Sequence, residues 1–548
     1  MEMSEHETRP EDPLLAMRDL RIEARAGDDA WAEIVKGVDV TLHRREVLGL
    51  IGESGAGKST IGIAAMGFAR DGCRISGGQI LFDGQDLRGL SEAGKRRLRG
   101  ARIAYVAQSA AASFNPAHTL NDQVCETAVQ HGLLSRAQAL EKAVTLYRTL
   151  QLPDPENFGA RYPHQVSGGQ LQRAMVAMAM VCGPDLIIFD EPTTALDVTT
   201  QIEVLGAIKA AIREHETAAL YITHDLAVVG QIADRIMVLL RGDPVEEGPT
   251  EQILQAPRAD YTRQLVSVRG IHNDPKTPTA ATPAVEVREI DAAYGGGTLR
   301  VLENVSMAVA RGTTTAVVGE SGSGKSTLAR VMTGLLPPLS GTVCLDGTDL
   351  PPALKQRGKD QLRRLQMIYQ MPDVALNPRQ TIEVVLGRPL SFYFGTHGKA
   401  RRDRVAELLE MVELPGDYVD RYPGELSGGQ KQRICIARAL AAEPDVIVCD
   451  EVTSALDQVV ADGVLRLLLR LQKELGTAYV FITHDLATVR AIADNVVVMY
   501  QGQIVEAGAK TEILENPQQD YTKLLLSSVP QMRTGWLDTV LAERRSAA

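Results

Sequence analysis

Two segments of the chain have the residue types and spacing of a phosphate-binding loop. They read GESGAGKST from Gly52 to Thr60 and GESGSGKST from Gly319 to Thr327. Each follows an apolar run and precedes a helical pattern, which is the setting that gives the spacing GxxxxGK[ST] its meaning. In such a loop backbone N–H groups cradle phosphates, the lysine reaches the outer phosphates, and the next serine offers its hydroxyl to Mg²⁺. The residues predicted to bind phosphate are Gly52, Ser54, Gly55, Gly57, Lys58, Ser59, Thr60, Gly319, Ser321, Gly322, Gly324, Lys325, Ser326 and Thr327.

Two pairs of adjacent acids end apolar runs further along the chain. Asp190 and Glu191 follow LIIF, and Asp450 and Glu451 follow VIVC. Adjacent carboxylates at a strand end can divide labour, one orienting Mg²⁺ and the other polarising an attacking water. An isolated pair of this kind is more often an ordinary strand end. The phosphate-binding loop upstream favours the catalytic interpretation.

Short apolar runs that alternate with helical stretches must position these groups. EVLGLIG leads into the first glycine-rich loop, DLIIFDE ends in the acid pair, and ALYITHD ends in a histidine followed by an aspartate. Buried strands with acids or turns at their carboxyl ends, alternating with helices, indicate an α/β domain with a largely parallel sheet. Because ligands bind beyond the carboxyl ends of such strands, the motifs stand where a site is expected.

The motifs occur twice because the chain contains an internal repeat. ITHDLA occurs at 222–227 and again at 482–487. The two halves are joined by a stretch with three prolines among threonines and alanines, which predicts a semi-extended linker. The predicted organisation is an N-terminal tail (1–13), a first domain (14–266), a linker (267–284), a second domain (285–530) and a C-terminal tail (531–548).

The amino-acid composition argues against several classes of protein. The 548 residues carry 58 Lys plus Arg against 69 Asp plus Glu, a net charge of -11, which argues against a broad nucleic-acid-binding surface. The 6 cysteines show no CxxC or Cys/His spacing, so neither a disulfide framework nor a zinc site is indicated. No apolar stretch approaches the length needed to cross a bilayer, so any membrane crossing is expected in another chain.

A third repeated motif carries a resemblance to a known family. VSGGQ at 166–170 and LSGGQ at 426–430 resemble the signature motif of ATP-binding-cassette (ABC) ATPases, and the resemblance covers about residues 14 to 530. It implies an ATPase of α/β class with two tandem ABC-type P-loop nucleotide-binding domains, each a mixed sheet core with a helical subdomain. Val166 replaces the usual leucine of the signature.

The resemblance also assigns roles residue by residue. It implies ATP-binding Q-loop glutamines Gln108 and Gln370 and signature residues Ser167, Gly168, Gly169, Gln170, Ser427, Gly428, Gly429 and Gln430. It implies D-loop aspartates Asp197 and Asp457, metal-site residues Ser59, Gln108, Asp190, Ser326, Gln370 and Asp450, and catalytic residues Glu191, Glu451, His224 and His484. Each histidine alone would more often be structural. In the family the signature faces the ATP of the opposite half, so intramolecular pairing of the halves and two composite, hydrolytic sites are expected.

The aromatic residue that stacks on adenine is clear in only one half. Tyr294 stands where family members place it, whereas the first half has Ala24 or Arg25 there. Trp31 is equally compatible with adenine stacking and with a core or edge position.

Local segments indicate a branch of the family. SFNP at 113–116 and ALNP at 375–378 are similar to the segment that follows the Q-loop in dipeptide, oligopeptide and nickel importers, and the TyrThr pairs at 261–262 and 521–522 resemble that branch's carboxyl-terminal motif. DEPTTALDVT and CDEVTSALD resemble its D-type and F-type ATPases. A fused D–F subunit energising a peptide importer is implied, peripheral on the cytoplasmic face of the membrane, with two transmembrane permease subunits and an extracytoplasmic substrate-binding protein as partners.

Alternatives remain at this stage. A nickel, haem or sugar importer is the nearest, and a soluble twin-cassette translation or DNA-repair ATPase is more distant; no nucleic-acid partner is expected. Some branch members hold an iron–sulfur cluster after the TyrThr motif, but no cysteine lies between Tyr261 and Cys344 or after Tyr521. The expected cofactors are therefore ATP and Mg²⁺ without such a cluster, and Cys182, Cys435 and Cys449 are predicted to be small buried apolar residues.

Overall fold

The chain divides into two units that repeat one design. The structure, a computed structural model, describes residues 12–26, 30–193, 196–267, 276, 282–454 and 456–547. Unit 1 holds the chain up to Val266 and again from Pro530 onward, and unit 2 holds Ser267–Val529. Most of the predicted linker, 267–284, lies outside the described residues. Within it, the Lys276 backbone N–H donates to Asp494 Oδ1 at 3.0 Å.

In the part of unit 1 that the structure describes, ten strands form two sheets. They are β1 (Leu15–Ala26), β2 (Ala30–Leu42), β3 (Val47–Gly52), β4 (Cys73–Phe82), β5 (Gln85–Asp86), β6 (Ile103–Val106), β7 (Leu186–Asp190), β8 (Ala218–Ile222), β9 (Arg235–Leu240) and β10 (Asp243–Pro249). The α-helices that precede unit 2 in the chain are α1 (Lys58–Ala64), α2 (Glu92–Leu98), α3 (Ala110–Ser113), α4 (Leu120–Gln130), α5 (Arg136–Thr149), α6 (Pro155–Phe158), α7 (Gly168–Met180), α8 (Val198–Glu214), α9 (Leu226–Val229), α10 (Thr250–Gln255) and α11 (Asp260–Ser267).

Unit 2 repeats this series. Its strands are β11 (Val285–Tyr294), β12 (Leu299–Val309), β13 (Thr314–Val318), β14 (Ser340–Leu345), β15 (Thr348–Asp349), β16 (Leu365–Ile368), β17 (Val446–Asp450), β18 (Ala478–Ile482), β19 (Asn495–Tyr500) and β20 (Gln503–Ala509). Its helices are α12 (Lys325–Met332), α13 (Lys359–Arg364), α14 (Pro372–Ala375), α15 (Ile382–Phe394), α16 (Gly398–Met411), α17 (Gly428–Leu440), α18 (Gln458–Leu475), α19 (Leu486–Ile492), α20 (Lys510–Glu515) and α21 (Asp520–Ser527).

The six-stranded sheet of each unit brings the motifs to one edge. Its order is β10-β9-β3-β8-β7-β6 in unit 1 and β16-β17-β18-β13-β19-β20 in unit 2. All neighbours pair in parallel except the edge strands β10 and β20, which pair antiparallel. The strands of the centre are buried along their whole length, as expected of parallel strands covered on both faces. The predicted α/β fold, with a mixed sheet in each of two similar units, is confirmed.

Helices stand between the Q-loop glutamine and the signature in each unit, where a helical subdomain was predicted. In unit 1 these include α4, α5 and α6, and Tyr147 of α5 packs against Phe158 of α6 with ring centroids 5.2 Å apart. The Tyr147 hydroxyl donates to Asn121 Oδ1 at 3.0 Å. In unit 2 the subdomain is built mainly from α15 and α16. Across the described part of both units, none of the helices combines the length and apolar character that a membrane span requires.

The C-terminal residues, expected to be a tail, form a helix that packs on unit 1. This helix is α22 (Trp536–Ala547). The Gln231 side chain holds the segment that enters it: its amide donates to the carbonyls of Gln531 at 2.7 Å and Arg533 at 3.0 Å, and its oxygen accepts from the Leu537 N–H at 3.1 Å. Leu537 is fully buried. The chain therefore leaves unit 1 after Val266, forms unit 2, and rejoins unit 1 at Pro530.

Leu537→Asp is expected to release this C-terminal segment. A carboxylate at a fully buried site is costly unless it is paired, and an opened segment is cleaved in proportion to the time it spends open. Timed trypsin digestion read by intact mass should show removal of the segment about tenfold faster or more. Ser546→Asp, on an exposed residue of the same helix, is the matched control, and equal cleavage rates in both variants would show that Leu537 does not anchor the helix.

Candidate functional site

The glycine-rich loops have the conformation that the phosphate-binding pattern requires. Gly57 and Gly324 precede α1 and α12 with φ of 90° and 100°, a left-handed backbone that favours glycine. The ammonium of Lys58 donates to the carbonyls of Gly52 at 2.7 Å and Glu53 at 2.8 Å, so the lysine folds back over its own loop.

Unit 2 shows the same arrangement. Lys325 Nζ donates to the Gly319 carbonyl at 2.9 Å and to the Glu320 carbonyl at 2.6 Å. Both loops thus hold a buried ammonium next to backbone N–H groups, which suits a polyphosphate.

The aspartates at the ends of β7 and β17 lie against the serines of the loops. Ser59 Oγ donates to Asp190 Oδ1 at 2.7 Å, and Ser326 Oγ donates to Asp450 Oδ1 at 2.9 Å. Both aspartates are buried. A hydroxyl beside one carboxylate is a hard-oxygen donor set of the kind that Mg²⁺ uses together with substrate phosphates. The residues present therefore fit the expected ion, while no cluster of three or more His, Cys, Asp or Glu suited to a metal is found in the described part of the chain.

The glutamates that follow are turned out of their strands by an unusual backbone. Glu191 and Glu451 both have φ of 49°, in the left-handed region that non-glycine residues seldom occupy. Their N–H groups still donate across the sheet, to the carbonyls of Ile222 at 2.9 Å and Ile482 at 3.0 Å. Outliers of this kind concentrate at functional sites because the surrounding structure has to hold them in place.

A glutamine and a histidine hold each of these glutamates from two sides. Gln108 Nε2 donates to Glu191 Oε2 at 3.0 Å, and His224 Nδ1 lies 3.2 Å from Glu191 Oε1. Burial alone lowers the pKa of His224, but the hydrogen bond and negative charge of Glu191 outweigh it, so the net shift is upward.

In unit 2 the corresponding cluster is closely similar. Gln370 Nε2 lies 2.7 Å from Glu451 Oε2, and His484 Nδ1 lies 3.4 Å from Glu451 Oε1. The hydrogen bond to Glu451 raises the pKa of His484, and the same bond lowers the pKa of Glu451. In each half the predicted glutamine and histidine thus both contact the glutamate, and in unit 2 the lowered pKa favours the ionised form of Glu451.

The signature serines begin helices and make local contacts. Ser167 and Gln170 form a capping box at the start of α7: Gln170 N–H donates to Ser167 Oγ at 3.3 Å and Ser167 N–H donates to Gln170 Oε1 at 3.1 Å. Ser427 and Gln430 do the same for α17, at 3.4 and 2.9 Å. Within the described residues, the side chains of these two serines and two glutamines make no hydrogen bond to the phosphate-binding loop of their own unit.

The D-loop aspartates are also helix caps. Asp197 Oδ1 accepts from Thr200 N–H at 2.9 Å at the start of α8, and Asp457 Oδ1 accepts from Val460 N–H at 3.0 Å at the start of α18. Ala195 and Ala455, which complete the motif on the amino-terminal side, lie outside the described residues.

The aromatic candidates differ between the units. Tyr294, at the end of β11, has its hydroxyl 3.4 Å from Thr327 Oγ1 and accepts from Arg330 at 3.2 Å, beside the phosphate-binding loop. Trp31 pairs with Arg25 across β1 and β2, and the Arg74 guanidinium lies 4.2 Å from its ring centroid. Adenine stacking by Tyr294 remains a prediction. Trp31 has the surroundings of an edge residue packed by arginines.

Motif reasoning missed two tyrosines that contact the site. The Tyr105 hydroxyl donates to Asp190 Oδ2 at 2.5 Å. The Tyr521 hydroxyl accepts from the Glu320 N–H at 3.0 Å, inside the second phosphate-binding loop. Tyr521 belongs to the TyrThr motif, which the sequence analysis identified as a mark of the importer branch without assigning the tyrosine a role in the site. Nothing in the linear sequence singled out Tyr105.

The cysteine prediction holds for two residues of three. Cys435 and Cys449 are buried, and burial raises the pKa of the Cys435 thiol to about 11. Cys182 is only half-buried, because it follows α7 at the turn toward β7, so the prediction that it is a buried residue is wrong.

Comparisons with known proteins match both halves of the chain. The family described as ABC transporter matches at 35–194 and 302–454, and the oligopeptide/dipeptide transporter C-terminal region matches at 245–297 and 505–547. The relative named glutathione import ATP-binding protein GsiA, from Salmonella choleraesuis (strain SC-B67), is 39% identical over 540 residues, covering 91% of this chain and 86% of the relative. Its namesake from Escherichia coli O157:H7 is 38% identical over 562 residues, covering 94% and 89%. Among solved structures, cbiO1 from Clostridium perfringens aligns with 30% identity and a TM-score of 0.39, over 43% of this chain and 92% of its own.

Proposed function

This chain belongs to the ABC transporter family and is an ATPase of that family, and from that premise we propose that it powers the import of short peptides through separate membrane subunits. The observation that carries the proposal is the Gln–Glu–His contact beside a phosphate-binding loop in both units. Because both clusters are complete, both units are expected to hydrolyse ATP. The carboxyl-terminal region of oligopeptide/dipeptide transporters, present twice, supports peptides as the substrate class.

The residues of each cluster supply the parts of phosphoryl transfer to water. Lys58 and the loop N–H groups bind the phosphates, and Glu191 accepts a proton from the attacking water while Gln108 and His224 fix its carboxylate. Lys325, Glu451, Gln370 and His484 do the same in unit 2. Mg²⁺, when bound by Ser59, Asp190 and Gln108 or by Ser326, Asp450 and Gln370, would neutralise charge on the phosphates.

The signature serines complete the sites from the opposite unit in this proposal. A helix start with exposed N–H groups and a serine hydroxyl suits an anion. The hydrogen bonds of Ser167 and Ser427 are made within their own helix starts and not to the phosphate-binding loop of the same unit. The site of Lys58 therefore takes Ser427 to Gln430, and the site of Lys325 takes Ser167 to Gln170. Nucleotide held in this way joins the units, and its hydrolysis releases them.

The partners are two permease subunits and an extracytoplasmic substrate-binding protein, with the chain peripheral on the cytoplasmic face of the membrane. The relatives are named for glutathione import, so glutathione, a thiol tripeptide, is the first substrate to test. The helical subdomains between Gln108 and Ser167 and between Gln370 and Ser427 are the proposed contacts with the permease.

Reconstitution with the permease subunits and binding protein tests the proposal. The full chain should co-purify with both membrane subunits, and ATP hydrolysis in proteoliposomes should rise several-fold with glutathione or a dipeptide. If a nickel chelate, haem or a sugar stimulates ATP hydrolysis and peptides do not, the proposed substrate class is wrong. Co-purification with ribosomes and no membrane subunit would overturn the importer assignment.

A further inference from the structure

The buried aspartate of unit 1 is held at both of its carboxylate oxygens. Ser59 Oγ donates to Asp190 Oδ1 at 2.7 Å, and the Tyr105 hydroxyl donates to Asp190 Oδ2 at 2.5 Å. Asp190 is 4% exposed. Two hydroxyl donors at 2.5 and 2.7 Å leave this carboxylate little rotational freedom.

The described residues of unit 2 provide no second donor of this kind. Tyr105 on β6 and Met367 on β16 occupy the same place in the register, each paired with the strand residue two positions before the aspartate. A methionine thioether cannot donate a hydrogen bond. Asp450 receives Ser326 at 2.9 Å on Oδ1, and in the described residues of unit 2 no side-chain hydroxyl bonds its other oxygen.

A guanidinium also lies near Asp190 Oδ2. Arg70 lies 3.7 Å from Asp190 Oδ2 but is 57% exposed, and an exposed ion pair at that distance contributes little.

We propose that Tyr105 is a positioning residue that makes the two metal–nucleotide sites unequal. The Tyr105 hydroxyl holds Asp190 Oδ2. Asp190 Oδ1, which lies beside Ser59, is thereby presented to the divalent cation that accompanies the nucleotide. The inference rests on the proposed function, because it assumes that nucleotide and cation bind at these loops. Partners that orient a metal-binding group typically change metal affinity by about 10- to 100-fold, so unit 1 binds the cation about tenfold more tightly than unit 2.

Manganese binding to the full chain in the presence of ADP tests the proposal. Mn²⁺ shares the oxygen-ligand preference of Mg²⁺ and its binding is read by electron paramagnetic resonance. Lys325→Ala removes nucleotide from unit 2 and reports unit 1, while Lys58→Ala reports unit 2. We expect the Lys325→Ala chain to bind Mn²⁺ about tenfold more tightly than the Lys58→Ala chain, and Tyr105→Phe to remove the difference.

Tyr105→Phe should leave Mn²⁺ binding unchanged in the Lys58→Ala background, which reports unit 2. Tyr105→Met is the second variant, since methionine at this place already folds in unit 2. Tyr147→Phe is the matched control: it removes another buried hydroxyl hydrogen bond far from the aspartate and should not alter Mn²⁺ affinity.

Equal Mn²⁺ affinity of the two units, or no loss in either Tyr105 variant, would overturn the inference and leave the proposed function standing. An equal loss in Tyr147→Phe would also overturn it, because the effect would then come from the fold in general. If neither background binds Mn²⁺ together with ADP, the proposed function itself fails.

Discussion

A chain carrying Glu191→Gln and Glu451→Gln is expected to bind ATP and to hydrolyse almost none of it. Glutamine keeps the size of the side chain, offers an acceptor oxygen to Gln108, and can donate its N–H to the neutral imidazole of His224, so the site should stay assembled. It cannot take a proton from water, and loss of a positioned general base costs about 10²- to 10⁴-fold in rate. Phosphate release should therefore fall by about a hundredfold or more, while ATP stays bound after gel filtration.

The matched control for this variant changes two exposed glutamates. Glu216 pairs with the exposed Arg45 at 2.6 Å, and Glu474 pairs with Arg470 at 3.4 Å on α18. Glu216→Gln with Glu474→Gln should leave turnover unchanged, since exposed ion pairs contribute little. Turnover near the wild-type rate in the Glu191→Gln, Glu451→Gln chain would remove both residues from the catalytic role.

Aspartate at the signature serines is expected to abolish hydrolysis at the opposite unit without unfolding its own helix. Asp is as good an N-cap as Ser, so Ser167→Asp and Ser427→Asp should preserve α7 and α17 and leave the melting temperature within about 2 °C. In a composite site the new carboxylate faces phosphate and repels it. We expect about a hundredfold loss of turnover or more at each affected site.

Combination with a lysine variant shows which unit each serine serves. Lys58→Ala disables the site of unit 1, so adding Ser427→Asp to it should cost nothing further, because both changes fall on the same composite site. Adding Ser167→Asp to Lys58→Ala should remove the remaining turnover and the ADP trapped by vanadate. The reverse pattern would mean that each signature serves its own unit, and the composite arrangement would be wrong.

Residues within short motifs can be placed from the sequence because their chemistry requires fixed local spacing. Lys58 and Ser59 are placed by one loop and the start of one helix, and Asp190 and Glu191 by the end of one strand. The sequence also indicated that these segments meet, since strands of a parallel sheet bring their carboxyl ends to one edge. The observed contacts of Ser59 with Asp190 and of His224 with Glu191 agree with that reasoning.

Contacts that depend on strand order were beyond the sequence. Tyr105 reaches Asp190 because β6 is the edge neighbour of β7, and no local pattern distinguishes a tyrosine in that register from one facing the core. The left-handed backbone of Glu191 and Glu451 cannot be read from a motif either, since it occurs where their N–H groups bond to the neighbouring strand.

Periodic apolar runs and short motifs specify local structure, so the duplicated α/β design and the groups expected around each phosphate-binding loop could be predicted from the amino-acid sequence. The return of the chain to unit 1 through α22 is visible only in the folded structure, as is the second hydroxyl donor to Asp190, which has no counterpart at Asp450 among the described residues. These features join residues far apart in the chain, such as Gln231 with Leu537. Their geometry follows from which surfaces pack together, and packing is a property of the whole fold.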